Sequence, residues 1–216
     1  MAKYDKFFEL ASEVGIKESE LYIHEGTELS FSLFHKEVVE FSNNSSTSVV
    51  ARGLVGSKLG IAASDVWNNE KCKFLVEQIK ANGSVVENDD PAIIFEGSPK
   101  YKKVKTYDKS IESVDVNKKI EIAKQIEEKV RSLDTRVVEV ESIGYSENVQ
   151  SVTIQNSKGL KLSQKSNYVV VYASVVVQDK GQVKSNFEMY FDSTLDNLDI
   201  DKLASETVKN AVSQLG

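Results

Sequence analysis

Nucleophiles and soft metal ligands are scarce in these 216 residues: the chain holds one cysteine, Cys72, and two histidines, His24 and His35. A single thiol excludes an internal disulfide and any argument for an oxidising compartment. His24-Glu25 opens like a zinc-protease signature, but no histidine follows at helical spacing and the segment alternates like a strand. No uninterrupted apolar run approaches the roughly 20 residues that a membrane helix needs. The opening Met1-Ala-Lys-Tyr-Asp-Lys lacks the apolar core of a signal peptide, so a cytoplasmic chain without membrane association is expected. Positive charge is not in excess either. A formal charge of −6 weighs against a grip on a phosphate backbone, and no direct nucleic-acid binding is expected. Lys100, Lys102, Lys103 and Lys105 flank Tyr101 and read as a solvated loop. Both prolines, Pro91 and Pro99, fall in one stretch, so breakers are almost absent elsewhere.

What the chain has in quantity is strand-forming sequence. Between Val149 and Phe191, β-branched and aromatic residues come in short runs punctuated by Asn, Asp and Gly, the pattern of an antiparallel meander. Its turns are Asn156-Ser157-Lys158-Gly159, Gln164-Lys165-Ser166-Asn167 and Asp179-Lys180-Gly181. Within it, Val169, Val171, Ala173, Val175 and Val177 share one face, while Tyr168, Val170, Tyr172 and Val176 share the other with Ser174. A strand apolar on both sides is covered twice or has one face awaiting a partner.

The first half repeats the plan. Phe7, Leu10, Ala11 and Val14 form a helical stripe ended by Gly15. Strands are expected over Leu21–Phe34, with Gly26 as an irregularity, then over Val38–Phe41 and Ser48–Leu54, separated by the polar turn Ser42-Asn43-Asn44-Ser45. Gly56-Ser57 is a two-residue hairpin turn leading into Lys58–Ala63. A helix follows over Asn69–Asn82, capped by Asn68 or Asp65, burying Cys72, Leu75, Val76 and Ile79 and stopped by Gly83. Residues 87–108 form a connector, with a short strand or helical turn around Ile93-Ile94-Phe95. Helices are expected over Val116–Leu133, capped by Asp115, and after Asp199. The order is helix, four strands, helix, connector, helix, four strands, helix. The fold class is α+β, a predominantly antiparallel sheet with helices packed on it. A duplicated unit is expected, with halves 1–86 and 109–216 forming either two lobes or, the favoured arrangement, one sheet shared between them.

No reaction centre assembles from these residues. Gly53-Leu-Val-Gly56-Ser57-Lys58 lacks the spacing of a P-loop, and it joins two strands where an RNA-binding Gly-x-x-Gly loop joins two helices. No serine stands in a nucleophile-elbow context. Asp89-Asp90 and Asp199/Asp201 read as turn and cap residues, and Cys72 as a small hydrophobe on a helical stripe. No catalytic residue, metal ligand or cofactor is therefore assigned to this chain.

The segment Val49-Val-Ala-Arg52-Gly-Leu-Val-Gly56-Ser-Lys-Leu-Gly60-Ile-Ala-Ala-Ser64 resembles a strand pair of the TldD/PmbA family, whose members are described as gyrase modulators and peptide-maturing peptidases. Asn156-Ser157-Lys158-Gly159 resembles the family's asparagine-serine-x-glycine hairpin, and Gly15 followed by Ser19-Glu20-Leu21 resembles its opening. The resemblance runs end to end but covers only the N-terminal domain of such proteins, closer to the zinc-less PmbA type. The family's His-Glu-x-x-x-His zinc helix belongs to a C-terminal domain, and Gly216 stands about where that domain would begin. The resemblance implies a supporting role: association as a homo- or heterodimer with a TldD/PmbA-type subunit, and guidance of unfolded peptide toward zinc held by a TldD-type partner. Arg52, Gly56, Gly60, Asn156 and Gly159 are its expected structural or positioning residues. The rival from another class is a freestanding scaffold module with no peptidase link.

Overall fold

The structure, a computed structural model, describes residues 3–87 and 91–216, so the Asp89-Asp90 pair lies outside the described residues. The elements are helix α1 (Asp5–Glu13), strands β1 (Ser19–Phe34), β2 (Glu37–Val55) and β3 (Lys58–Ser64), and helix α2 (Asn69–Ser84). A 3-10 turn at Lys109–Ser113 precedes helix α3 (Val116–Leu133), strands β4 (Val137–Asn156), β5 (Lys161–Asp179) and β6 (Gln182–Asp192), and helix α4 (Ile200–Val212). The strands form one antiparallel sheet in the order β3-β2-β1-β4-β5-β6. Two three-stranded meanders thus meet along β1 and β4, and each is flanked by two helices.

Each half has three long strands where four were expected. The polar run Ser42–Ser45 lies inside β2, and Gln164–Asn167 lies inside β5. A hydrogen-bonded ladder satisfies backbone groups whatever the side chains, so polarity alone does not end a strand. These runs also lie at the boundaries between two compact units. One comprises residues 1–26, 45–105 and 150–165, and the other comprises 27–44, 106–149 and 166–216. Both polar runs therefore sit where a strand leaves one apolar core for the other. The units interleave along the chain and do not part at the 87–108 connector.

In the first unit, Leu21, Ile23, Val49 and Ala51 face Phe7 and Ala11 of α1 and Leu75, Val76 and Ile79 of α2. In the second, Val169, Val171, Ala173, Val175 and Val177 are fully buried under α3 and α4 with Ile126, Val130, Leu203 and Val208. The odd-numbered face of β5 is thus the core face. Its other face, with Tyr168, Val170, Tyr172 and Val176, is only partly covered.

Local chemistry sets the ends of elements. Asn68, not Asp65, caps α2 by accepting from the Lys71 N–H at 2.8 Å; Asp115 and Asp199 cap α3 and α4. After α1, Gly15 takes φ +89°, and the Ile16 N–H bonds the Ala11 carbonyl while the Gly15 N–H bonds that of Ser12, a Schellman closure. Helix α2 runs through Gly83 to Ser84, one turn-closing residue past its expected stop. Ile93-Ile94-Phe95 forms neither strand nor helical turn; Ile94 is buried from an irregular segment.

Candidate functional site

Arg52, Asn156 and Gly159, apart in sequence, meet in the first unit around a fourth residue, Glu20. Arg52 on β2 donates from Nε to Glu20 Oε1 at 2.8 Å, and its Nη2 lies 2.5 Å from the same oxygen. Glu20, on β1, is buried. Its other oxygen accepts from Asn156 Nδ2 at 3.3 Å. A buried carboxylate requires such partners, and the guanidinium fork supplies charge and direction together.

Asn156 uses every polar group it has. Nδ2 also donates to the Phe95 carbonyl at 2.6 Å, and Oδ1 accepts from the N–H groups of Lys158 and Leu160 at 3.0 and 3.1 Å. Its N–H bonds the Leu160 carbonyl, and its own carbonyl accepts from Gly159. This wraps the β4–β5 turn around one amide, and Gly159 at φ +96° supplies the left-handed step the turn needs. The turn is tied to β1, because the Ser157 N–H donates to the Ser19 carbonyl at 2.9 Å and the Ser157 hydroxyl accepts from the Ser19 N–H at 3.0 Å. One amide thus joins the hairpin tip, the start of β1 and the connector at Phe95.

Gly56 and Gly60 stand outside this network. Gly56, at φ +63°, opens the β2–β3 hairpin turn. Gly60 is an approach point: a Cβ there would lie 1.9 Å from the Ile79 carbonyl oxygen. Gly83 mirrors it on α2, where a Cβ would meet the Val55 side chain at 2.7 Å and the Gly60 nitrogen at 3.2 Å. Asn82 of α2 also donates to the Ile61 carbonyl at 2.8 Å. Helix α2 therefore closes over edge strand β3. Gly83 serves this contact rather than ending the helix.

The other edge is β6, beside which no further strand lies among the described residues. Lys180 and Gly181 take φ +47° and +81° in the two-residue turn between β5 and β6, so the flanking pair Asp179–Gln182 exchanges hydrogen bonds. From that register, even-numbered residues of β6 turn their backbone groups to β5 and odd-numbered ones turn theirs outward. Phe187, Met189 and Phe191 are about half to two-thirds exposed. They form an apolar patch with Tyr168 and Tyr172, through ring contacts Tyr168–Phe191 and Tyr172–Phe187 at 5.6 and 5.1 Å. Tyr172 lies over Gly144, whose added Cβ would fall 2.0 Å from the ring. A depression of about 610 Å³ adjoins Tyr172 and is lined by Ser30, Ser32, Val39, Phe41 and Ser146.

The histidines and cysteine do not converge. His24 bonds Gln150 at 2.9 Å, and His35 lies 3.3 Å from Glu139 at the β1–β2 turn. Cys72 is buried in the α2 stripe, where burial pushes its thiol pKa up and away from reactivity. Asp199 caps α4 and Asp201 pairs with Lys129. Among the described residues no three His, Cys, Asp or Glu gather as a metal would require.

Three polar features escaped the sequence reading. Lys119 of α3 is buried and ion-pairs with Glu147 at 2.7 Å, and the Tyr145 hydroxyl donates to the same carboxylate. Burial first, then the Glu147 hydrogen bond, pushes the Tyr145 pKa far above the ordinary phenol value. Glu127, also buried, accepts from the Lys36 N–H of the β1–β2 turn and from Arg131. Asn167 accepts from the Asp108 N–H and donates to the Ser193 carbonyl. Lys119 and Glu127 occupy the inward side of an otherwise amphipathic helix. A charge at i, i+3 or i+4 from apolar neighbours was the signal available for both.

Comparison with known proteins fits this geometry. A family model described as "PmbA/TldA metallopeptidase central domain" matches residues 109–215. The chain belongs to the TldD/PmbA family. A Thermotoga maritima protein described as a modulator of a DNA gyrase is 24% identical, with a TM-score of 0.86 over 98% of this chain and 47% of its own. TldE from Thermococcus kodakarensis is 19% identical, with a TM-score of 0.81 over 98% and 47%. A Bacteroides thetaiotaomicron protein also described as a modulator of DNA gyrase is 17% identical, with a TM-score of 0.82 over 99% and 49%. This TldD/PmbA chain thus spans about half the length of each of these structures. No curated protein matches it. No helix among its described residues is long and apolar enough to cross a membrane.

Proposed function

We propose that this chain is a non-catalytic domain of a TldD/PmbA-like peptidase system, which associates with another TldD/PmbA-type subunit and guides extended peptide toward zinc held by that subunit. The observation that carries this reading is the β5–β6 border of the sheet, where outward backbone groups adjoin an exposed apolar face. Main-chain hydrogen bonds to such an edge bind extended polypeptide with little demand on sequence, which suits a system that handles unfolded segments. Strand β6 lies outside β5, so an added strand would pair with β6, while Tyr168 and Tyr172 would meet side chains from the solvent side. The Arg52–Glu20–Asn156 network acts as a brace in this reading.

The test is amide exchange with and without an unfolded peptide, on the chain alone and copurified with a zinc-bearing TldD-type subunit. Slower exchange within Gln164–Phe191 and a stable complex are expected. Unchanged exchange there and separate elution would overturn the proposal. Zinc assay of each component should find the metal with the partner.

A further inference from the structure

The depression beside Tyr172 has the lining of a ligand site. We infer that it binds a guanidinium group carried on an apolar stem, with Glu40 as the charge partner and the Tyr172 and Phe41 rings as walls. Its lining comes from β1, β2, β4 and β5 and takes nothing from β6, so the site stands apart from the edge assigned to peptide.

One wall is set by the backbone beneath it. Gly144 of β4 has no side chain, and a Cβ there would fall 2.0 Å from the Tyr172 ring and 2.5 Å from its hydroxyl oxygen. A glycine inside a strand often marks such a close approach. The ring of Tyr172, which stands on β5, therefore lies across β4. Its hydroxyl is 3.4 Å from that of Ser142, and its ring centroid is 5.1 Å from that of Phe187. Supported below by Gly144 and at its side by Phe187, the ring is held in place before any ligand arrives. Phe41 on β2, about half exposed, supplies the second ring.

The polar groups of the lining can all accept a hydrogen bond. Ser30, Ser32 and Ser146 bring hydroxyls, and Glu40 brings a carboxylate. Ser32 is buried, and its hydroxyl donates to Glu40 Oε2 at 3.0 Å, which fixes the direction of the carboxylate. Among the described residues no lysine, arginine or histidine lines the depression. A ligand must therefore bring the positive charge, and an anion would face Glu40 directly.

The walls choose between cations. An ammonium ion satisfies the charge alone. A guanidinium also stacks its plane on an aromatic face while its edge offers a fork of N–H donors to the carboxylate and the hydroxyls. The volume of about 610 Å³ is that of a small-ligand site, and exposed Val39 gives the methylene stem an apolar surface.

The experiment titrates the full chain with agmatine, a free guanidine, and with acetyl-arginine-amide, which carries the same group on a peptide unit. Acetyl-citrulline-amide is the uncharged isostere. Calorimetry gives the affinity, and amide chemical shifts give the location. Both guanidines are expected to bind saturably, with the largest shifts at Glu40, Gly144 and Ser146, and the citrulline probe about tenfold more weakly. Tighter binding of acetyl-arginine-amide assigns the site to arginine in a polypeptide and tighter binding of agmatine to a free guanidine; both support it. Glu40→Gln should weaken binding by about tenfold and Tyr172→Leu by about fivefold. Glu37→Gln, on the same strand but outside the lining, should change nothing. Circular dichroism checks that each variant folds. Equal binding of the citrulline probe, unchanged affinity in Glu40→Gln, or shifts confined to other strands overturns the inference. A chain that binds no guanidine but whose β6 amides are protected by unfolded peptide sinks this site and leaves peptide guidance standing. Guanidine binding at Glu40 with no peptide protection does the reverse.

Discussion

The two compact units treat their polar groups and their sheet edges in opposite ways. The first unit holds its carboxylate, Glu20, between the half-exposed Arg52 and Asn156, and lets α2 cover edge strand β3. The second sinks an ion pair, Lys119–Glu147, beneath the sheet, and no further strand among the described residues flanks its edge strand β6, where Gln214 bonds the Ser185 carbonyl. A unit whose edge is capped by its own helix is complete. One whose last strand has no further strand beside it is where the proposed reading would seat another chain. In the proposed reading, association would fall to the second unit and bracing to the first.

The sharpest way to break the comparison is to remove Lys119. A Lys119→Met variant leaves Glu147 buried beside Tyr145 without its cation and should lose about 4 kcal/mol of unfolding free energy in urea titration. Adding Glu147→Leu should restore much of that, because the buried carboxylate is then gone as well. A single variant that costs nothing would mean the pair is not sealed. Next comes Gly60→Ala, which drives a methyl group into the Ile79 carbonyl. About 3 kcal/mol is expected, with faster exchange of β3 amides as α2 lifts. Full stability would show that α2 closes that edge loosely and that the two edges differ less than described.

A smaller loss, about 2 kcal/mol, is expected from Asn156→Ala, which strips the turn N–H groups and Glu20 of their shared amide. Asn156→Asp should not rescue it, since a second carboxylate would face Glu20. The smallest effect concerns acid. Hydrogen bonds from Arg136 hold the Asp134 pKa at about 2, below the ordinary aspartate value. Its contribution is therefore present above about pH 4 and fades as pH falls toward 2. Melting temperatures of the wild type and Asp134→Asn should differ at pH 5 and converge near pH 2; a constant gap would mean that Asp134 does not act through its charge.

Much of the architecture was legible in the residues. Apolar stripes at helical spacing found the four helices of the described residues, and alternation sorted β5 residue by residue onto two faces without saying which was the core face. The polar runs at 42–45 and 164–167 misled, because polarity marks exposure and not the end of a ladder. Of the motif residues, Gly56 and Gly159 were readable as turns, since positive φ is a local demand. Arg52 and Asn156 could be named from the family resemblance, but nothing local pointed to Glu20 as the group joining them. Lys119 and Glu127 carried no reading from the sequence, and only the fold shows that both are buried.

Periodicity and turn chemistry act over a few residues, so the chain's own order dictated its helices, most strand faces and the hairpins that link them. Partnership between separate elements was settled only by folding: Glu20 beside Asn156, Gly60 under α2, Lys119 against Glu147, β6 at the border. The reason is that burial of charge and exposure of an edge depend on which strands become neighbours, and one residue cannot carry that information until the sheet has closed around it.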